Sequence, residues 1–349
     1  MQGGKTYVVY ASGRKLRIVG FDKRLRRVST RTVTLPRHDV WGGFYHGPDG
    51  NNYVALGTYN TKESKTKVVI RVIKYSKAWK KGKTATIAGG SSNGFEGIYK
   101  PFDASGTSFA LQGTMLYLET GRTMFQTSDG LHHQANIGFV INTKTMKAAE
   151  NSASYCSHSF GQVARFKDGT LFVANHGDAY PRSICLSEVA GYGTGSQDQR
   201  QESAGVFEIK GATGDNYTGA TLGGMEVSTS TVLVCGASVP QGYKVAGVKG
   251  AGSSLKRNVF VAVTNRSTGK TSVKWLTTYN PKTSKVQVGE TRMVKISEDR
   301  YGILYSTTKG STSTVHYVVV NAQGKKVLSR TLKGARFSGA SQPVLSGGR

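Results

Sequence analysis

The sequence predicts an all-β protein: a β-propeller, read as six blades, forming a single domain over residues 1–349. Three observations carry this. Apolar runs are short, about four to seven residues, and none holds a helical period. Turn signals built from Gly, Asn, Asp and Ser recur roughly every 8–12 residues, the rhythm of sandwiches, barrels and propellers. A unit of about 45–65 residues then repeats, within the propeller range. The chain has 45 Gly among its 349 residues and is 37% hydrophobic, which is ample for a core.

The opening strands are clearest. Thr6–Tyr10, Val68–Ile73 and Val315–Val320 read as strands. Paired first and second strands flank polar turns at Pro48-Asp49-Gly50, Lys167-Asp168-Gly169, Ser228-Thr229-Ser230 and Glu298-Asp299. Gly97–Gly106 leading into Ser108–Leu111 fits the same frame. Closing hairpins recur at Phe139–Met146, Val261–Gly269, Val318–Gly324 and Ile18–Lys23, each with an Asn- or Asp-led turn. Ser183–Val189 and Val206–Ile209 compete for one strand slot, with Gly191–Gln197 between them as a surface loop. The first unit lacks its opening strand. Residues 341–348 are expected to supply it, closing the ring by pairing with the N-terminal strand and hiding free edges.

Several classes are excluded or disfavoured. No run of about 18 apolar residues exists, so no spanning helix is expected. No charged segment followed by an apolar one opens the numbered chain, so no signal peptide is expected within it. The three cysteines, Cys156, Cys185 and Cys235, form no CxxC pair. Cys235 reads as a small buried residue of a strand. Export would allow Cys156 and Cys185 to pair, but three free thiols are the plainer expectation. Gly247–Gly252 lacks a phosphate-loop frame.

Propeller topology brings the starts of first strands and the second-to-third loops to one face. This places His38, His132, His133, His158 and His176 together there, with Asn93–Glu96, Arg292 and Ser341. The candidate binding set is His132, His133, Asn136, His158, Gln162, His176, Asp178, Tyr180, Arg182 and Arg292. If the protein is an enzyme, His158, His176, Asp178 and Arg182 are the catalytic candidates: imidazoles for acid–base work, and a guanidinium to fork onto a carboxylate. The plainer reading is a long loop fastened by an Asp178–Arg182 pair and the Tyr180 hydroxyl. His158, His176 and Asp178 also admit a divalent metal, but no HExxH-type spacing supports one, and no cofactor is expected. There is no GxSxG either.

The blocks Asp129-Gly130-Leu131-His132-His133-Gln134-Ala135-Asn136, Ser157-His158-Ser159-Phe160-Gly161-Gln162 and His176-Gly177-Asp178-Ala179-Tyr180-Pro181-Arg182-Ser183 are the least repeat-like in the chain. In this order they resemble motifs of uncharacterised bacterial secreted β-propeller proteins. The resemblance is close over roughly residues 100–190 and loose elsewhere. It implies export and a propeller, and no activity.

Charge is the remaining signal. Lys and Arg number 47 against 20 Asp and Glu, a formal net charge of +27. Such a field attracts and steers polyanions. Local peaks lie at Lys23, Arg24, Arg26 and Arg27, at Lys77, Lys80, Lys81 and Lys83, and more weakly at Lys325-Lys326. These sit in outer hairpins, on the rim. No recognised nucleic-acid module accompanies them, so nucleic acid is expected only non-specifically. The first expectation is a secreted or cell-surface, non-enzymatic propeller. Its partners are an acidic glycan or other polyanion, or acidic neighbouring subunits. A carbohydrate-active lyase or hydrolase and a self-assembling fibre or surface-layer subunit are the alternatives.

Overall fold

The computed structural model describes residues 5–90, 97–103, 106–179, 182–193, 198–241, 243, 255–335 and 342–345. The expected segments Asn93–Glu96, Gly247–Gly252, Tyr180 and Ser341 lie outside the described residues. Among those described there are strands and no helix, arranged as a β-propeller.

The first sheet is β1 (Thr6–Ser12), β2 (Lys15–Phe21) and β3 (Arg27–Thr34), and the second is β4 (Val40–His46), β5 (Asn52–Gly57), β6 (Val68–Tyr75) and β7 (Lys81–Ala88). A nine-stranded sheet follows. Its first half is β8 (Lys100–Pro101), β9 (Thr107–Gln112), β10 (Met115–Thr123), β11 (Gln134–Asn142) and β12 (Ala148–Glu150). Its second half is β13 (Ser157–Lys167), β14 (Thr170–Ala179), β15 (Ser183–Ala190) and β16 (Asp198–Glu208). Two four-stranded sheets complete the chain: β17 (Ala220–Val227), β18 (Thr231–Ser238), β19 (Asn258–Asn265), β20 (Thr271–Trp275), then β21 (Val286–Ser297), β22 (Arg300–Lys309), β23 (Thr312–Val320) and β24 (Lys326–Lys333). Every pairing is antiparallel, and all but two join neighbours in sequence, as short connections favour; the exceptions are β8 with β10 and β11 with β13.

Four sheets therefore stand as separate blades, not six. The pair Ala135↔Ser157 fuses two expected units into one hydrogen-bonded sheet. Ring closure is also not as expected. Gln342–Leu345 form no strand, and Val344 is 68% exposed. The segment suits strand pairing poorly, because Pro343 has no N–H to donate and only two apolar residues follow it. Among the described residues β1 pairs only with β2, and its Val8 and Tyr10 are exposed.

Five apolar clusters hold successive layers together. Leu16 and Ile18 of the first sheet meet Val54 and Ile73 of the second. Ile70 and Val72 meet Leu116 and Phe139. Tyr117 and Ala110 meet Leu171 and Val173 between the halves of the nine-stranded sheet. Phe172 and Phe207 meet Val234 and Phe260, and Val261 meets Ile303 and Val318. Each cluster is the consequence of period-2 strands burying both faces between neighbours.

The first strand of each unit is irregular. Register shifts occur at Trp41/Gly43 in β4, Ser159/Gly161 in β13, Leu222/Gly224 in β17 and Val288/Thr291 in β21. A bulge bends the strand and re-aims its side chains. In the remaining unit Phe102, at φ +59°, breaks the strand outright, so β8 and β9 share one slot beside β10. Ser108–Leu111 is thus a first strand, not the second strand its apolar run suggested. Glycine permits close approach at these points: a Cβ on Gly223 would lie 2.0 Å from Thr291 Oγ1. Ser183–Val189 and Val206–Ile209 do not compete, since they fall in β15 and β16, which pair. Tyr192 is not on the surface. It is 1% exposed, packed edge-on against Tyr117, with its hydroxyl donating to the Asn151 carbonyl.

Candidate functional site

The nine-stranded sheet carries a buried polar seam. Glu119 on β10 is fully buried and accepts from the Tyr117 hydroxyl, from Asn136 Nδ2 at 2.7 Å and from Asn175 Nδ2 at 3.4 Å. Burial pushes its carboxyl above the usual 4.5, against those hydrogen bonds and nearby Arg122. Asn136 also donates to Ser154 O at 2.9 Å and accepts from the Cys156 N–H at 2.7 Å. Asn175 accepts from Ser159 Oγ at 3.0 Å, and Gln162 Nε2 donates to Ser159 Oγ at 2.7 Å. Gln134 Nε2 donates to Ser159 O at 2.6 Å. Strands β10, β11, β13 and β14 are thereby tied at one end by side chains, where the backbone contributes only the Ala135↔Ser157 pair.

At the seam's outer edge stands a His–Asp dyad. His158 begins β13 with φ +48°, a left-handed conformation that costs energy in a non-glycine residue. The turn it makes, just before the Ser159/Gly161 bulge, sets Nδ1 at 2.9 and 3.1 Å from the two oxygens of Asp178, at the end of β14. Asp178 is fully buried, while the His158 side chain keeps 26% of its surface exposed. The hydrogen bond to Asp178 raises the His158 pKa above its ordinary 6.5, opposed by burial. An imidazole whose Nδ1–H is held by a carboxylate presents Nε2 for proton transfer.

His176, next to Gly177 on β14, is buried and differs in kind. Its Nε2 lies 2.8 Å from Thr218 Oγ1, and Phe160 meets its ring edge-on. Burial, helped by Arg257 and Arg182, depresses its pKa to about 4, so it stays neutral. Arg182 does not pair with Asp178. Its guanidinium donates to Asp215 O at 2.6 Å and Tyr217 O at 3.3 Å, fastening the segment before β17. The loop-fastening reading of this block therefore has the right arginine and the wrong partner.

The other candidates do not converge here. His132 stacks on Tyr99 with ring centroids 4.1 Å apart, and its Nδ1 lies 2.9 Å from Met124 O. His133 pairs with Asp129 at 2.7 Å on the surface. His38 Nδ1 lies 2.9 Å from Pro36 O. Arg292 lies within β21, bonded to Glu290 and the Thr291 carbonyl. Asn136 and Gln162 belong to the seam. Among the described residues no group of three His, Cys, Asp or Glu side chains is placed to hold a metal ion. Of the three candidate ligands, His158 and Asp178 bond each other and His176 Nε2 meets Thr218 Oγ1. Sequence reasoning missed Glu119, Asn175 and Thr218. The available signal was a lone carboxylate or amide inside an otherwise apolar strand, as in Leu116-Tyr117-Leu118-Glu119.

The rim is fully presented. Lys23, Arg24, Arg26, Arg27, Lys77, Lys80, Lys81 and Lys83 are all exposed. Strands β3 and β24 are exposed at nearly every position. Across residues 6–34, Arg14, Lys15, Arg17, Lys23, Arg24, Arg26, Arg27 and Arg31 face a single acid, Asp22. Asp22 is spent within the turn, accepting from the Arg24 and Arg26 N–H groups and pairing with the Arg26 guanidinium at 2.8 Å.

No family model and no curated protein matches the chain. Among solved structures, it is similar to a point mutant of Synechocystis apocarotenoid oxygenase, at 12% identity and a TM-score of 0.39, covering 94% of this chain and 57% of that one. The cobalt-substituted form of that oxygenase gives 11% identity and a TM-score of 0.39 over the same shares. The chain thus spans little more than half the length of those structures, and a similarity this distant carries no argument about its chemistry.

Proposed function

We propose that this protein is an extracellular propeller scaffold that binds an acidic polymer, such as a sulfated or uronate-rich glycan, through its basic outer strands. The observation that carries the reading is the first sheet. It carries eight cations against one acid that is consumed locally, with Lys23, Arg24 and Arg26 in the turn before β3 and Arg27 and Arg31 on β3, a strand exposed along nearly its whole length. Cations so placed release counterions when they meet a polyanion, which makes binding steeply salt-dependent. Acidic subunits would use the same edge. We read the two halves of the nine-stranded sheet as two blades joined at Ala135/Ser157, which restores six units around one axis.

The test is binding of dextran sulfate to the protein and to a variant carrying Lys23→Gln, Arg24→Gln and Arg27→Gln. Removing three contacts should reduce the slope of log K against log salt by about 2–3. An unchanged slope would move the site off this edge.

The His158–Asp178 dyad favours a second reading, an acid–base enzyme acting on such a glycan. Its support is the buried carboxylate holding Nδ1. Turnover of a polyuronate that disappears in His158→Gln, with dextran sulfate binding intact, would select it.

A further inference from the structure

Cys156 and Cys185 are separated along the chain but adjacent in space. Cys156 directly precedes β13, where its N–H donates to Asn136 Oδ1 at 2.7 Å. Its sulfur lies over Gly177 of β14, and a Cβ there would sit 2.5 Å from Sγ. Gly177 pairs with Ser183, and Asn175 with Cys185, so Gly177 and Cys185 project from the same face of the sheet as diagonal neighbours. The missing side chain at 177 is what lets the Cys156 thiol reach across β14 to β15. Each thiol meets a main-chain oxygen at 3.9 Å, Cys156 that of Ser157 and Cys185 that of Ser183, and each thiol shifts the titration of the other. Both are buried and reduced in this structure.

We propose that Cys156 and Cys185 form a disulfide across Gly177, clamping the entry of β13, and with it His158, to β15. The oxidant is a small-molecule disulfide such as oxidised glutathione. The Cys185 thiolate attacks one sulfur of that disulfide, forming a mixed disulfide and releasing one thiolate. The Cys156 sulfur, having given up its proton to solvent, then attacks the Cys185 sulfur and releases the second. Two protein thiols are oxidised and one disulfide is reduced to two thiols, so atoms and electrons balance. The neighbouring Cys156 thiol holds the Cys185 thiol below its ordinary range, which favours the thiolate that exchange requires. Burial pushes the Cys235 thiol up to about 12, and it stays out of the reaction.

Because both sulfurs are buried, the test is oxidative refolding of the full chain in a reduced/oxidised glutathione mixture, followed by alkylation under denaturing conditions. The expected product takes up alkylating agent only at Cys235, and peptide mapping links 156 to 185. Reduction should lower Tm by roughly 3–5 °C, as closing a loop of this length implies. The Cys156→Ser variant should lose that dependence on reductant, and Cys235→Ser should keep it. Alkylation at all three cysteines after oxidative refolding, a bridge involving Cys235, or glutathione adducts without a 156–185 link would each overturn the proposal.

Discussion

Replacing Glu119 by alanine removes the acceptor at the centre of the polar seam. Three buried donors lose their partner: the Tyr117 hydroxyl and one N–H from each of Asn136 and Asn175. At about 1 kcal/mol net for each bond, the loss comes to roughly 3 kcal/mol. Desolvation works the other way. It raises the Glu119 pKa above 4.5, so the folded state binds this proton more tightly than the unfolded chain does. The resulting stability is fully present below pH 4.5 and is lost as pH rises through the folded value. Glu119→Ala should therefore cost most near pH 4.5 and less towards pH 8. Glu119→Gln keeps an acceptor oxygen without the charge, and should cost less than about 1 kcal/mol while abolishing that pH-dependent difference. Urea unfolding followed by tryptophan fluorescence, on all three proteins from pH 4.5 to 8, measures both effects as differences from the unsubstituted chain. A Glu119→Ala cost under about 0.5 kcal/mol at pH 4.5, or a Glu119→Gln variant with the original pH dependence, would refute the seam as a source of stability.

Three further outcomes follow from the same geometry. His176, buried and neutral with a pKa of about 4, contributes stability that is whole above pH 6.5 and lost as pH falls towards 4, about 3 kcal/mol in all; His176→Gln should flatten that acid limb in the same unfolding series. Asp178→Asn should bring the His158 titration down towards its ordinary value, read by NMR of the ring protons, because the hydrogen bond to the carboxylate is what raises it. Gly223→Ala forces a methyl into Thr291 where two bulged strands meet, and should cost about 1–3 kcal/mol by thermal unfolding.

Much of the fold was legible because it rests on local signals. The turn at Lys167-Asp168-Gly169 was read from its residue types, and both Asp168 and Gly169 adopt the positive φ that such a two-residue turn needs. Apolar runs such as Val232–Cys235 lie in the expected strand, with Cys235 fully buried. What failed depended on tertiary context. Nothing local announces that Phe102 turns left-handed to fill space beside Gly42 and Gly57, and that turn moved Ser108–Leu111 into a different strand slot. Tyr192 sits among glycines that look like a solvent loop, yet its ring completes the core beside Tyr117. The site divides the same way. His158 and Asp178 stood out as polar residues in atypical blocks, but their pairing depends on a bulge, and Arg182 was drawn instead to main-chain oxygens before β17. Glu119 left one signal, a carboxylate in an apolar strand, but nothing local tells that it is buried or that Asn136 and Asn175 reach it.

The central claim is that the basic outer edge recognises charge on a polymer. The most direct measurement compares binding of dextran sulfate and uncharged dextran, the same backbone with and without its anions, at low and moderate salt. The account predicts no binding of dextran. It predicts that affinity for dextran sulfate falls roughly 100-fold between about 50 and 200 mM salt, as expected for about four neutralised charges. Equal binding of both polymers, or an affinity for dextran sulfate that ignores salt, would contradict it.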